Sequence, residues 1–592
     1  MASPRIIVIG GGLAGLSAVI KIAEAGGSVD LFSIVPVKRS HSVCAQGGIN
    51  AAKNLKGEGD TTWKHFDDTI YGGDFLANQT PVKAMCEAAP AIIDLLDRMG
   101  VPFNRTPEGL LDFRRFGGTL YNRTAFAGAT TGQQLLYALD EQVRRHESEG
   151  KVRKFEGWEF LSAVIDSKGV ARGITALDLR TMELRSFPAD AIIIATGGIG
   201  AIFGKSTNSV VCTGSAQSAV FQQGVTYANG ELVQVHPTTI PGEDKLRLMS
   251  ESARGEGGRV WVPRIAGDKR PVKSIPEAER FYFLEEWYPK YGNLVPRDIA
   301  TRAIHKVVYE KGLGIDGQPM VYLDLSHIDR ATLDRKLGGI LDIYEKFVGD
   351  DPHLVPMKIF PGMHYTMGGL WVDFNQMTNI PGIFAIGECD YQYHGANRLG
   401  ANSLLSCIYA GFISGPNSLA YAASLPAVEG DGGHAAELAR QTEINGKLLK
   451  NEGTENPFKL WRELGDTMTK HATVIRYNKG LKEADEKIVE LLDRYRNVNL
   501  SDRSQWANTS FAFARQLKNM LELARTITLG AILRDESRGA HYKPDFPDRN
   551  DERFLKTTMA IFTGSVEGPR FSFEEVDTQF IKPRRRSYDA AS

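Results

Sequence analysis

RIIVIGGGLAGLSAVIKIAEAGGSVDLFS, residues 5–33, decides the fold class. A β-rich apolar run leads into Gly10, Gly12 and Gly15 at the spacing GxGxxG, a helical stretch follows, and a second β-like run spans Ser28 to Ser33. Strand, glycine turn, helix and strand in that order form the βαβ unit that opens a doubly wound α/β sheet and binds a dinucleotide. Gly10 permits the tight turn, Gly12 lets the backbone approach a diphosphate, and Gly15 lets the helix lie close on the strand. Ala14 belongs to the same turn, where unpaired N–H groups and the helix dipole favour phosphate. Ser33 stands where an acid usually meets the ribose, and Asp30 comes too early in the strand. NAD recognition loses support, whereas a cofactor held along a longer stretch of chain does not.

Two later strand ends favour that longer cofactor, FAD. DAIIIATGGIG (190–200) ends in the small residues Ala195, Thr196 and Gly197, and PGIFAIGECD (381–390) ends at Glu388, a carboxylate placed for cofactor hydroxyls. Doubly wound sheets bind ligands beyond the carboxyl ends of their strands. KRSHSVCAQGGIN (38–50) follows the second strand and holds Ser40, His41 and Ser42 ahead of Gln46, Gly47 and Gly48. By itself it reads as a solvated polar loop; its position along the cofactor gives it a second reading.

A chain of 592 residues holds two or three domains, and 42% hydrophobic with 24% charged residues is ordinary globular composition. Net charge is -1, so no nucleic-acid partner is expected. The basic run KPRRR (582–586) reads as a solvated tail. The five cysteines are scattered, with no CxxC, so neither disulfides nor a metal or iron–sulfur site is expected, and a reducing compartment is. The first strand starts by Arg5 or Ile6, which speaks against a leader peptide. No run approaches the roughly 18–20 apolar residues of a spanning helix, so any membrane association must come through a partner.

Taken together, RSHSVCAQGGI, RRFGG, ATGG, HPT, SESARGEGG, PRD, HYTMGG, AIGE, HGANRLGANSLL and ESRGAH, in that order, resemble the flavoprotein subunit of succinate dehydrogenase and fumarate reductase. STNSVVCTGSAQSAVFQQG resembles the menaquinone-linked bacterial branch. The resemblance implies covalent FAD on His41 and further cofactor contacts at Ser403 and Leu404. It assigns dicarboxylate binding to His236, Ser250, His364 and Arg398, proton transfer to Arg297, and a relay to Glu251 and Arg254. These residue types suit a C4 diacid: arginine grips a carboxylate with a two-pronged fork, and each histidine can donate to one. Arginine is a poor base, with a pKa above about 12, so a relay and a dry pocket are needed. Glu251 and Arg254, three apart, share a face if that segment is helical. The chain departs from the family at Ser215, where TGSA replaces TGDG, and at Ser250, where the family has threonine.

The expected architecture is a Rossmann-like FAD-binding domain (1–235 and 357–420) with an inserted α+β capping domain (236–356). A helical domain (430–540) and a C-terminal segment (541–592) follow. The polar stretch at 429–447 reads as a boundary, and Gly-rich stretches at 255–258 and 312–319 as flexible points. As the resemblance implies, succinate or fumarate is the substrate. Electrons pass to an iron–sulfur subunit, a membrane-anchoring cytochrome b subunit supplies attachment at the cytoplasmic face of the cell membrane, and a quinone, menaquinone in this branch, is the final acceptor. The competing readings are an L-aspartate oxidase-like soluble flavoenzyme, which typically lacks the linking histidine, and a non-catalytic flavin-binding subunit.

Overall fold

The computed structural model describes residues 4–240, 242, 245–425 and 431–587. Five parallel strands form its central sheet in the order Ile383–Ala385, Ala191–Ile194, Arg5–Ile9, Ser28–Ser33, Val152–Glu156. The three strands whose ends suggested a cofactor are therefore neighbours or next neighbours, and their carboxyl ends share one edge. Alternation along Arg5–Ile9 divides the core: Ile6 and Val8 join the cluster with helices Leu13–Glu24 and Asn402–Ser424. Ile7 and Ile9 join the opposite cluster with Phe32, Trp158 and Phe160. Both faces are covered, as a parallel sheet requires.

A second sheet is antiparallel, in the order Arg247–Leu248, Val233–Ile240, Met357–Thr366, Val321–Asp324, Arg259–Pro263, Arg280–Phe281. With helices Arg297–His305 and Arg330–Val348 it encloses its own core, and it forms the cap. The expected boundary at 235/236 falls inside strand Val233–Ile240, and residue 357 opens strand Met357–Thr366. Two paired strands thus run across both of these positions.

Helices Pro457–His471, Asn478–Tyr495 and Thr509–Leu533 pack in sequence against the body's core. The polar stretch read as a boundary is instead mostly helix His434–Lys450, with residues 429 and 430 outside the described part. Its Ala, Glu, Leu and Arg content favours a helix, and burial of only Gln441 and Leu448 explains the polar appearance. Toward the C-terminus, strands Lys556–Ile561 and Arg570–Glu575 pair with each other, and the first also pairs with Tyr227–Ala228.

The basic run near the end is not a solvated tail. Arg584 donates two bonds to Asp67, and Arg586, with its side chain 6% exposed, forks onto the buried Asp298. A run of five residues is too short for composition to reveal such partners.

Candidate active site

A cleft of about 570 Å³ lies between the parallel sheet's carboxyl edge and the cap. Its far end is walled by Gly10, Gly12, Ala14 and Ser33; its middle by Ser40, Ser42, Gln46, Gly47 and Gly48 on one side and Ala195, Thr196 and Gly197 on another. Glu388, Ser403 and Leu404 continue the wall to His41, and the near end holds His236, Ser250, Glu251, Arg297, His364 and Arg398. Gly15 and Arg254 stand one layer behind it.

The glycine turn has no room for side chains. Gly10 has φ +116°, and a Cβ there would sit 2.1 Å from the Ala195 carbonyl oxygen; one at Gly15 would sit 1.9 Å from that of Gly10. Gly12 caps helix Leu13–Glu24 without a side-chain bond, leaving first-turn N–H groups facing the cleft, where only Leu13 meets a hydroxyl, that of Ser42 at 3.2 Å. Ser40 Oγ, Gln46 Oε1 and Thr196 Oγ1 are buried with no partner. Buried polar atoms rarely stay unpaired, so this row fits a long polar ligand. Ser33 donates to the Val35 carbonyl at 2.6 Å and keeps its lone pairs for a ribose hydroxyl. Asp30 is closed off by a bidentate bond from Arg153 at 2.7 and 2.6 Å. Glu388 accepts from the Thr366 amide at 3.0 Å, and burial pushes its carboxyl up to about 7. Ser215 also lines the cleft and accepts from Asn519 at 2.8 Å. A dinucleotide cradle at one end and a long polar-lined wall fit FAD.

His41 opens a single 3-10 turn, His41–Cys44, at the near end of that wall. The Ser209 amide donates to its Nδ1 at 3.1 Å, and Asn208 Nδ2 lies 3.3 Å from Nε2. Burial, reinforced by the nearby Lys245, lowers its pKa to about 4, so the ring is neutral at physiological pH. A neutral ring with Nδ1 already accepting a bond presents Nε2 as the nitrogen able to form another bond.

The near end is built from both bodies. His236 and His364 come from the two shared strands, with ring centroids 4.9 Å apart. The Thr238 amide donates to His236 Nδ1 at 3.2 Å, leaving Nε2 buried and unpartnered as an N–H donor. Thr207 engages His364 Nδ1 at 2.7 Å. Burial, then the nearby Arg297, holds both rings well below the usual histidine range, so both are neutral. Ser250 Oγ sits 2.6 Å from Ser252 Oγ. Arg297 opens helix Arg297–His305; its Nε and Nη2 each lie 2.8 Å from Glu251 Oε2, and its Nη1 donates to Gln234 Oε1 at 2.9 Å. Glu251 Oε1 accepts from Arg254 at 2.6 Å, across the first turn of helix Ser252–Gly255. Burial alone would raise the Glu251 carboxyl, but Arg297 and Arg254 hold it below the usual range. The face shared by 251 and 254 is as their spacing suggests, and the pair is buried rather than on the surface.

Arg398, like His236, is left unsatisfied. It lies over the Tyr365 ring at 4.4 Å, its Nε is buried without a partner, and no carboxylate of the described residues is within ion-pair distance. Burial and the like charge of Arg297 push its guanidinium down to about 9. Three guanidinium groups face the single carboxylate of Glu251, a formal surplus of two positive charges. A buried charge needs a partner, and a dianion would supply one for this surplus.

Several residues here escaped the sequence reading. Gln234 ties Arg297 to the far wall, donating to the Arg398 carbonyl at 2.8 Å and to Asn397 at 2.9 Å. Its signal was its place two residues before His236 on a strand. Thr207 and Asn208 lie in the quoted stretch STNSVVCTGSAQSAVFQQG, but nothing in it marks them as partners of His364 and His41, because a fold contact across the cleft defines that role. Gly117 in RRFGG leaves space for the relay: a Cβ there would lie 2.1 Å from Glu251 Oε1.

Residues 5–404 match the family model described as an FAD binding domain, and residues 461–588 match that described as fumarate reductase flavoprotein C-term. The succinate dehydrogenase flavoprotein subunit of Bacillus subtilis (strain 168) is 62% identical over 591 residues, 99% of each chain. Among solved structures, a mutated quinol fumarate reductase chain of E. coli aligns over 100% of both chains with TM-score 0.91 and 31% identity. A quinol-fumarate reductase with menaquinol molecules aligns over 99% of this chain and 100% of its own, with TM-score 0.89 and 31% identity.

Proposed function

Since the chain belongs to the flavoprotein-subunit family of the succinate dehydrogenases and fumarate reductases, we propose a role for each side chain of its cleft in interconverting succinate and fumarate. FAD is the cofactor, and when bound it supplies a hydride acceptor for one succinate methylene, or the hydride for fumarate. Arg398 forks onto one carboxylate. His236 Nε2–H, His364 and the Ser250 hydroxyl hold the other, and the neutral histidines leave the two surplus charges to balance the dianion. The second hydrogen leaves the neighbouring carbon as a proton to Arg297, or arrives from it in the reverse direction. Glu251 and Arg254 form the line along which that proton is exchanged, because Glu251 touches Arg297 through one oxygen and Arg254 through the other. Closure of the cap excludes water, which strengthens each of these contacts. His41 carries the flavin through Nε2. With that nitrogen substituted, the neutral ring keeps a lone pair only on Nδ1, where the Ser209 amide already donates.

The observation that carries this reading is the unpaired, buried Arg398 facing two neutral histidines. Free Arg398 deprotonates as pH rises through about 9, so kcat/KM for succinate falls on the alkaline side with that apparent value. Arg398→Ala removes that limb and raises KM about 100-fold or more, since a charge-assisted bidentate contact is lost. A steady-state pH profile of both enzymes checks this.

Among the described residues there is no metal-holding cluster and no helix long and apolar enough to cross a membrane. The family to which the chain belongs supports an exit for electrons through other chains: an iron–sulfur subunit, then a cytochrome b anchor that holds this subunit at the cytoplasmic face of the membrane. Menaquinone as the quinone is supported by the menaquinol-bearing structural relative. Purification of the native assembly, followed by succinate-to-quinone and quinol-to-fumarate rates, tests the function. An assembly that performs neither, but releases peroxide with an amino acid, would remove it.

A further inference from the structure

The chain's last described residues form a strap. Asp577 and Gln79 fix its start: the Thr80 amide donates to Asp577 at 2.8 Å, and Gln79 Oε1 accepts from the Phe580 and Ile581 amides at 2.9 and 2.8 Å. Farther along, Arg584 pairs with Asp67 and Ser587 exchanges two bonds with the Tyr71 hydroxyl, at 2.7 and 2.9 Å. Asp67 and Tyr71 share helix Thr62–Gly72 of the FAD-binding body. Between these two anchors, Arg586 reaches across to the cap. Its Nη1 and Nη2 meet the two oxygens of Asp298 at 2.5 and 3.0 Å, with side chains 6% and 1% exposed.

Asp298 is the second residue of helix Arg297–His305, directly after Arg297. The same carboxylate also takes Arg302, at 3.4 Å, and Arg302 donates to the Gly539 carbonyl at 3.1 Å. The first turn of that helix is therefore fixed from outside the cap, at the residue adjoining the one whose Nε and Nη atoms face Glu251 and Gln234.

We propose that Arg586 is a positioning residue for the dicarboxylate reaction: from the C-terminal strap it grips Asp298 and latches helix Arg297–His305, and with it Arg297, onto the FAD-binding body. This rests on the role given to Arg297 above. Burial alone would raise the Asp298 carboxyl, but Arg586 holds it below the usual range, so the grip is between full charges. The fork is shielded from water and counter-ions, so removing Arg586 leaves the buried Asp298 carboxylate with only the longer contact to Arg302. Proton transfer tolerates little misplacement, so a loosened helix costs rate before it costs binding. Arg398, His236 and His364 are held by other elements and keep their grip on the diacid.

The test uses the assembled complex with Arg586→Ala, Arg586→Lys and Asp298→Asn. In Arg586→Ala, kcat per bound flavin falls about tenfold while KM for succinate stays within about threefold, as expected for a displaced group acting in the transition state. The isotope effect with fully deuterated succinate rises, because the C–H steps become more rate-limiting. Amide exchange across 297–305 speeds up, and lysine at 586 recovers part of each effect. A strap that only supports the fold lowers flavin content or thermal stability but leaves kcat per flavin, isotope effect and exchange across 297–305 at wild-type values; that outcome overturns the proposal. Where Arg586→Ala does not assemble, Asp298→Asn carries the same readouts with the shape retained. A wild-type assembly that fails to oxidise succinate removes the functional reading instead, while faster exchange across 297–305 in the variant still supports the latch.

Discussion

Arg297→Ala is expected to lower turnover by about a thousandfold or more in both directions, with FAD still attached, as loss of a proton-transfer group in a dry site demands. Three contacts hold this guanidinium in place, two to Glu251 and one to Gln234, and none of them is to the cofactor wall. Alanine therefore removes the proposed proton carrier and leaves the cradle and His41 in place, while Arg398 loses a like charge beside it. Lysine at 297 keeps a positive charge but cannot reach Glu251 and Gln234 together, because it lacks the planar fork. It should recover less than about a tenth of the rate lost. Flavin content by absorbance of the denatured protein, beside succinate turnover, separates chemistry from loss of cofactor. Turnover within a few per cent of wild type in Arg297→Ala would exclude the assigned role.

His41→Ala is expected to act on the cofactor's attachment and to affect the two directions unequally. Digestion of the denatured wild-type protein should yield a peptide containing His41 with the mass of the flavin added, and the variant should yield it bare. The cradle around Gly10, Gly12, Gln46 and Thr196 does not depend on His41, so FAD still binds, now exchangeably. The resemblance implies that the bond raises the flavin's reduction potential. Each 30 mV or so lost from a two-electron couple is tenfold in the equilibrium for accepting electrons. Succinate oxidation should fall by more than about tenfold, with fumarate reduction impaired less. A bare wild-type peptide, or equal losses in both directions, would count against the attachment.

The glycine spacing and the two later strand ends were legible because each sits in a short local pattern, whereas His236, Ser250, His364 and Arg398 came only from the family resemblance of the motifs around them, each alone reading as an ordinary structural residue. Glu251 and Arg254 came as a pair from the resemblance, and a spacing of three puts them on one face because the segment that follows Glu251 is helical. Partners brought together only by tertiary folding were not legible. Asn208 reaches His41 from more than 160 residues away in sequence, and nothing in either stretch announces it. Arg586 looked like surface charge because its partner, Asp298, comes 288 residues earlier. The helix at 434–450 was hidden by its few buried positions, and the division between body and cap by strands that cross it without a break.

Those crossing strands set how the cap can be exchanged. His236 and His364 lie on the two paired strands themselves, whereas Glu251 and Arg297 lie on segments inserted between those strands. A chimaera grafted between the end of strand Val233–Ile240 and the start of Met357–Thr366 would keep both imidazole-bearing strands. Such a graft would succeed or fail on whether the donor's strand, in the place of Val321–Asp324, pairs with Met357–Thr366 on one side and with its own next strand on the other.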